Sequence, residues 1–297
     1  MNTTGLRHLA FAVATGIAAI GATPATAADA SSWSADTRSA MRLIAGNRSV
    51  DARELRAGVE IKLGADWKTY WRYPGDAGVP PRFDFARSDN VKSVTVLWRA
   101  PRRFSDESGM SIGYKGNVIF PLVITPANPA KPVTLRLKLD YAVCEKICIP
   151  AEGSAELALG GGASERGAAL ADAEARVPKP IKLGEPMKLD EQSSLSIRSV
   201  KRETGKDGKP RIVVDVTAPA NVAVDLFAEG PSADWALPLP ELMPGAPAGT
   251  YRFAFPLDGL PPGGNANGAV IKLTATAGAK GTDKGADKAI EVSTRLD

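Results

Sequence analysis

Along residues 55–63 apolar and polar side chains alternate. Leu55, Ala57, Val59, Ile61 and Leu63 fall on one side, and Arg56, Gly58, Glu60 and Lys62 on the other. A period of two predicts a half-buried β-strand. Further short strands are read at 67–73, aromatic-rich and closed by Pro74-Gly75, at 94–98, closed by Pro101, and at 118–125. In 133–141, Val133, Leu135, Leu137, Leu139 and Tyr141 share one face, and Ala155, Leu157 and Leu159 complete a first series. A second series runs through 195–202, 211–217, 222–228, 250–255, 269–276 and 289–294. Gly205-Lys206-Asp207-Gly208 supplies a hairpin turn between its first two members. Helical patterns are confined to two places, 33–44 and the Ala-rich 165–176. Between the two series, Gly160-Gly161-Gly162, the short helix and Pro178, Pro180 and Pro186 read as a connection.

These elements predict an all-β protein of two antiparallel β-sandwiches, with 28–160 as the first, 161–186 as a linker and 187–297 as the second. A length of 297 residues fits two domains. The 29 glycines and 23 prolines sit between the apolar runs, as turn residues should, and follow no collagen repeat.

Residues 1–27 have the three parts of a secretory signal: Arg7 and His8, an apolar stretch from 9 to 22, and Ala25-Thr26-Ala27 as a small-x-small cleavage site. Fourteen helical residues span only ~21 Å, short of a ~30 Å hydrocarbon core, so cleavage is expected rather than anchoring. Its loss removes one basic residue and takes the net charge from +4 to +3. That charge is spread along the chain without a dense basic cluster, which argues against nucleic acid as a partner. His8 is the only histidine, so the exported chain has none. Ser-His-Asp and Cys-His catalysis in cis and histidine-ligated metals are thereby excluded, and two cysteines do not make a four-cysteine zinc site. No cofactor and no metal is implied.

The chemistry that remains lies in Cys144 and Cys148, within Tyr141-Ala142-Val143-Cys144-Glu145-Lys146-Ile147-Cys148-Ile149-Pro150. Export favours a disulfide. Four residues of straight strand span about 13 Å, whereas bridged Cα atoms lie within about 7 Å, so the backbone must turn between them. A tight hairpin with Glu145-Lys146-Ile147 as its loop is one solution, and a helical turn is the other. A loop of about five residues makes the bridge a weak brace, roughly 2 kcal/mol. Both a static staple and a redox-active pair fit that spacing. Lys146 is the nearest cation in sequence, and Glu145 opposes it.

The segment from Tyr141 to Glu152 resembles the cysteine segment of the periplasmic N-terminal domain of DsbD-type thiol:disulfide interchange proteins, in the branch that includes ScsB-like proteins. Trp67-Lys68-Thr69-Tyr70-Trp71-Arg72-Tyr73-Pro74-Gly75-Asp76-Ala77-Gly78, followed by Pro80-Pro81, agrees, as does Gly113-Tyr114-Lys115-Gly116-Asn117-Val118-Ile119-Phe120-Pro121. The resemblance spans roughly residues 35–160. It implies an immunoglobulin-like sandwich in a Gram-negative periplasm. Cys144 and Cys148 would be the catalytic pair of a disulfide reductase relay, one attacking a partner disulfide and the other resolving it. The implied partners are periplasmic thiol–disulfide proteins. DsbD-type proteins continue into a membrane domain and a thioredoxin-like domain, neither of which is in this sequence. A separate membrane electron donor of the DsbD/CcdA type is therefore implied. An aromatic cap shields the cysteines in that family, and Tyr114, between Gly113 and Lys115-Gly116, is the expected cap, with Tyr73 and its neighbours as the fallback. The rival reading is a non-catalytic two-domain binding module with a static bridge.

Four weaker signals are expected to be structural: the aromatics Trp67, Tyr70, Trp71 and Tyr73 as core and rim, Gly160-Gly161-Gly162 as a linker, Asp76 and Asp84 as surface carboxylates, and Asn47-Arg48-Ser49 as a chance glycosylation triplet. The short loop leads to an expected outcome: Cys144→Ala/Cys148→Ala still unfolds cooperatively, about 2 kcal/mol less stable in a denaturant titration.

Overall fold

The computed structural model describes residues 1, 28–47, 53–75, 78–106, 109–160, 164–205, 207–279 and 288–297. The leader, the cleavage site, Asp76 and part of the glycosylation triplet lie outside the described residues.

The first half is built of β1 (Ser34–Ala35), β2 (Ser39–Ala45), β3 (Leu55–Leu63), β4 (Lys68–Gly75), β5 (Arg82–Asp84), β6 (Val91–Val96), β7 (Arg102–Asp106), β8 (Gly109–Lys115), β9 (Asn117–Pro126), β10 (Val133–Cys144) and β11 (Cys148–Leu159). They form two antiparallel sheets, β1-β2-β3-β9-β6 and β11-β10-β4-β8-β7, with β5 on the edge of β10. The predicted inward faces meet between the sheets. Val59, Ile61, Phe120 and Leu122 come from one sheet and Leu135, Leu137, Leu139, Tyr141 and Val143 from the other, all nearly fully buried. Phe120 closes this core, its ring edge-on to Phe83 (5.4 Å), Trp98 (5.2 Å) and Tyr114 (5.4 Å).

The helix expected over 33–44 is a strand. Ser39, Met41, Leu43 and Ala45 take the two-residue period of β2, which pairs with β3 from Ser39↔Leu63 to Ala45↔Ala57. Burial of Met41 and Leu43 in the sandwich outweighs the local helical preference.

The helix expected over 165–176 is α1 (Gly167–Ala175). Its Leu170 and Ala173 pack on Ile44 and Ile119, on the outer face of the first sheet. Next come β12 (Lys179–Pro180), β13 (Met187–Lys188), β14 (Ser194–Thr204), β15 (Pro210–Thr217), β16 (Val222–Glu229), β17 (Glu241–Met243), β18 (Thr250–Pro256), β19 (Val270–Ala279) and β20 (Lys288–Arg295). They make the sheets β12-β20-β19-β16 and β13-β14-β15-β18-β17. Leu195, Val214, Leu226, Phe253, Leu273 and Ile290 fill the core between them. The β12–β20 pair alone is parallel among the described strands.

The two sandwiches touch through β4 and β7. Phe227 of β16 joins the first core, edge-on to Trp71 at 5.7 Å. Arg72 forms a two-pronged pair with Glu229 (2.8 and 2.7 Å) and also bonds Glu291. Tyr73 donates to the carbonyls of Trp235 and Leu237. Arg103 donates to Asp225 and to the carbonyls of Leu226 and Pro240. Burial works to lower the Arg72 pKa, but its hydrogen bonds and charge contacts with Glu229 and Glu291 reverse this and raise it. Burial raises the pKa of the Asp225 carboxyl against the pull of Arg103.

Truncating the ring that closes the first core tests the packing. Phe120→Ala is expected to cost about 3–5 kcal/mol, read from the midpoint shift in denaturant unfolding.

Candidate functional site

Strand β10 continues past its core-facing run to Cys144, bends through Glu145, Lys146 and Ile147, and returns as β11 at Cys148. The hairpin register pairs Cys144 with Cys148 directly. Their Cα atoms are 4.2 Å apart and the sulfurs are bonded. The turn required by the spacing is therefore a hairpin and not a helical one. The three loop residues are exposed, Ile147 to 68%.

The two cysteines differ in access. Cys144 is 1% exposed, whereas Cys148 is exposed. Over both sulfurs sits Tyr70, its Oη 2.7 Å from Sγ of Cys144 and 3.0 Å from Sγ of Cys148. Bridged sulfurs carry no proton, so the phenol donates.

Strand alternation explains why this tyrosine and no other reaches the bridge. Cys144 stands opposite Lys68 of β4, and in β8 Lys115, Tyr114 and Gly113 stand opposite Lys68, Thr69 and Tyr70. Opposed residues share a face and successive residues alternate. Cys144, Lys68 and Tyr70 thus point out of the sandwich, and Tyr70, Ala142 and Cys144 form a small cluster there. Thr69 points the other way, and its Oγ1 donates to the Ala142 carbonyl at 2.9 Å, tying β4 to β10. Two glycines leave room for the Tyr70 ring and its strand. A Cβ on Gly78 would lie 2.7 Å from Cδ1 and 2.9 Å from Cε1 of that ring. A Cβ on Gly113 would lie 2.0 Å from the Thr69 carbonyl oxygen.

The expected cap, Tyr114, is on the opposite face. It is 6% exposed, its ring meets Phe120, and its Oη donates to the Arg99 carbonyl at 2.8 Å. Burial pushes its phenol pKa up, so it stays a donor. The reason is topological. The chain does not fold back at Gly116 as a hairpin tip. It crosses there from β8 in one sheet to β9 in the other, which turns Tyr114 inward. Tyr73, the fallback shield, is bonded to the second sandwich. Trp71 is fully buried and Trp67 partly so, as core and rim. Asp84 accepts the Ala86 N–H at 2.8 Å on an exposed edge.

The sequence marks Tyr70 only as a core or rim aromatic and gives Lys68 and Gly78 no part, although all three lie in the motif from Trp67 to Gly78. The signal was the alternation itself: Lys68 and Tyr70 share a parity, and the register with Cys144 decides which parity faces the sulfurs. Lys68, only 3% exposed, stands opposite Cys144 in the register, although it precedes that cysteine by 76 residues.

Residues 40–160 match the family model of the thiol:disulfide interchange protein DsbD, N-terminal. The DsbD-like segment contains both cysteines, Tyr70, Gly78 and Tyr114. No curated protein matches the sequence. Among solved structures, the chain is similar to the N-terminal periplasmic domain of ScsB from Proteus mirabilis, with a TM-score of 0.66 and 19% identity. That match covers 90% of this chain and 98% of the other. A share that large takes in the second sandwich as well as the DsbD-like segment, and it shows a common fold.

The hydrogen bond from Tyr70 to Cys144 leads to a test. A bond to a developing charge is worth about 1.5 kcal/mol, close to tenfold in rate. Tyr70→Phe should slow reduction of the bridge by dithiothreitol about tenfold, followed by thiol alkylation. Tyr114→Phe should leave that rate unchanged while costing about 1 kcal/mol of stability.

Proposed function

We propose that this protein is a periplasmic thiol:disulfide exchange protein, relaying electrons through Cys144 and Cys148 to oxidised partners. The observation that carries the reading is the asymmetry of the bridge: one sulfur at an exposed hairpin end, the other buried beneath a hydrogen-bond donor. The match of residues 40–160 to a thiol:disulfide interchange family supports it, and the periplasmic domain of ScsB shares the fold.

In this reading a donor thiolate attacks Sγ of Cys148, the accessible sulfur. The Cys144–Cys148 bond breaks, and Cys144 leaves as a thiolate that accepts the Tyr70 O–H. A second donor thiol resolves the mixed disulfide, leaving the pair reduced and the donor oxidised by two electrons. In the second half, the Cys148 thiolate attacks a partner disulfide and expels one partner sulfur. Cys144 then attacks Sγ of Cys148 in the mixed disulfide. The bridge closes again, and the partner departs as a dithiol carrying both electrons. A membrane protein of the DsbD/CcdA type is the fitting donor, and periplasmic thiol–disulfide proteins are the acceptors.

Trapping distinguishes the two sulfurs. Cys144→Ala keeps the exposed nucleophile and lacks the resolving thiol, so it should accumulate mixed disulfides with periplasmic proteins on non-reducing gels. Cys148→Ala should capture at least several-fold less. Capture by neither variant, together with a reduction potential below about −300 mV, would show a static bridge in a binding module instead.

A further inference from the structure

Strand β4 is held in an uneven way. From Lys68 to Tyr70 it pairs with Gly113–Lys115 of β8, and its one pairing to β10 is Lys68 with Cys144. The ladder to β8 resumes only at Gly75↔Ser111. Five steps along β4 there correspond to two along β8, so Trp71, Arg72, Tyr73 and Pro74 bulge out of the ladder immediately after Tyr70. A bulge leaves its residues unpaired and free to be re-aimed. Here the second sandwich takes them up. Trp71 packs on Phe227, Arg72 pairs with Glu229 and Glu291, and Tyr73 donates to two carbonyls between β16 and β17. The guanidinium of Arg72 also lies 4.6 Å over the Trp71 ring. Arg72 is the centre of this attachment, with three carboxylate bonds of its own.

Tyr70 is two residues from Arg72, on the last paired position before the bulge. Its Oη must lie within hydrogen-bond distance of two sulfurs at once, and such bonds weaken steeply when the donor shifts or tilts. We propose that Arg72 is a positioning residue: by clamping the bulge of β4 to Glu229 and Glu291 of the second sandwich, it holds Tyr70 on the Cys144–Cys148 bridge. This deepens the exchange reading and rests on it. It gives residues 187–297 a part in the redox site without any contact to the sulfurs.

The test is a double-mutant cycle on the rate at which dithiothreitol reduces the bridge in the full chain. Arg72→Gln should slow reduction three- to tenfold, in the same direction as Tyr70→Phe. In the Tyr70→Phe background, Arg72→Gln should change the rate by less than twofold, because its effect runs through the phenol. Arg72→Gln leaves Glu229 without its partner and Glu291 with Lys272 alone, at 3.5 Å, which endangers folding. Arg72→Gln/Glu229→Gln/Glu291→Gln removes all three charges together and should show the same coupling. Arg252→Gln, which breaks an ion pair with Asp215 on the exposed face of the second sandwich, should leave the rate unchanged. A rate that rises or stays constant in the Arg72 variants, falls equally in the Tyr70→Phe background, or falls as far in Arg252→Gln would overturn the proposal. These rates concern the protein's own bridge. They stand apart from the trapping result, which alone decides whether partners exchange with it.

Discussion

The two-residue period of one strand, β4, governs what the rest of the molecule can do. Lys68 and Tyr70 must face outward because Thr69 faces inward onto the Ala142 carbonyl. That parity puts a phenol over two sulfurs and leaves Val143 and Tyr114 to the core. A shift of one residue in the pairing of β4 with β10 would bury Tyr70 in the sandwich and bring Thr69 to the bridge. The register is defended by its neighbours. Gly113 permits the close approach of β8, and Gly78 leaves the space the Tyr70 ring occupies.

Much of this fold is legible in the sequence because the signals are local. Alternation in 55–63 and 133–141 marks strands whose inward residues are indeed the core. The Cys144–Cys148 spacing restricts the backbone to a turn, and the hairpin is one of the two solutions it allows. The misses share a cause. The segment 33–44 has a local pattern compatible with a helix, and only pairing with β3 makes it a strand. Tyr114 sits between glycines as a lid residue would, yet Gly116 is a crossing between sheets, which no spacing reveals. Tyr70 was visible as an aromatic but not as the sulfur's partner, since that depends on a register joining residues 74 positions apart.

The bridge itself contributes little to the stability of a chain with two full cores, and its asymmetry matters more than its strength. Burial protects the Cys144 sulfur from direct attack, so chemistry entering from solvent meets Cys148 first. The phenol lies 2.7 Å from the buried sulfur and 3.0 Å from the accessible one. In the proposed exchange the buried sulfur is the leaving atom, and a donor placed there favours opening over mere protection.

The contacts of Arg72 also carry a schedule. Cys144, Cys148 and Tyr70 all lie within the first half of the chain, whereas Glu229 and Glu291 follow Arg72 by 157 and 219 residues. At about 5–20 residues per second, the second of these carboxylates emerges roughly ten to forty-five seconds after the arginine it meets. The hairpin that carries the cysteines has all its residues well before then, so its strands can pair while β4 still lacks its carboxylate partners, and the sulfurs bond where the surroundings are oxidising.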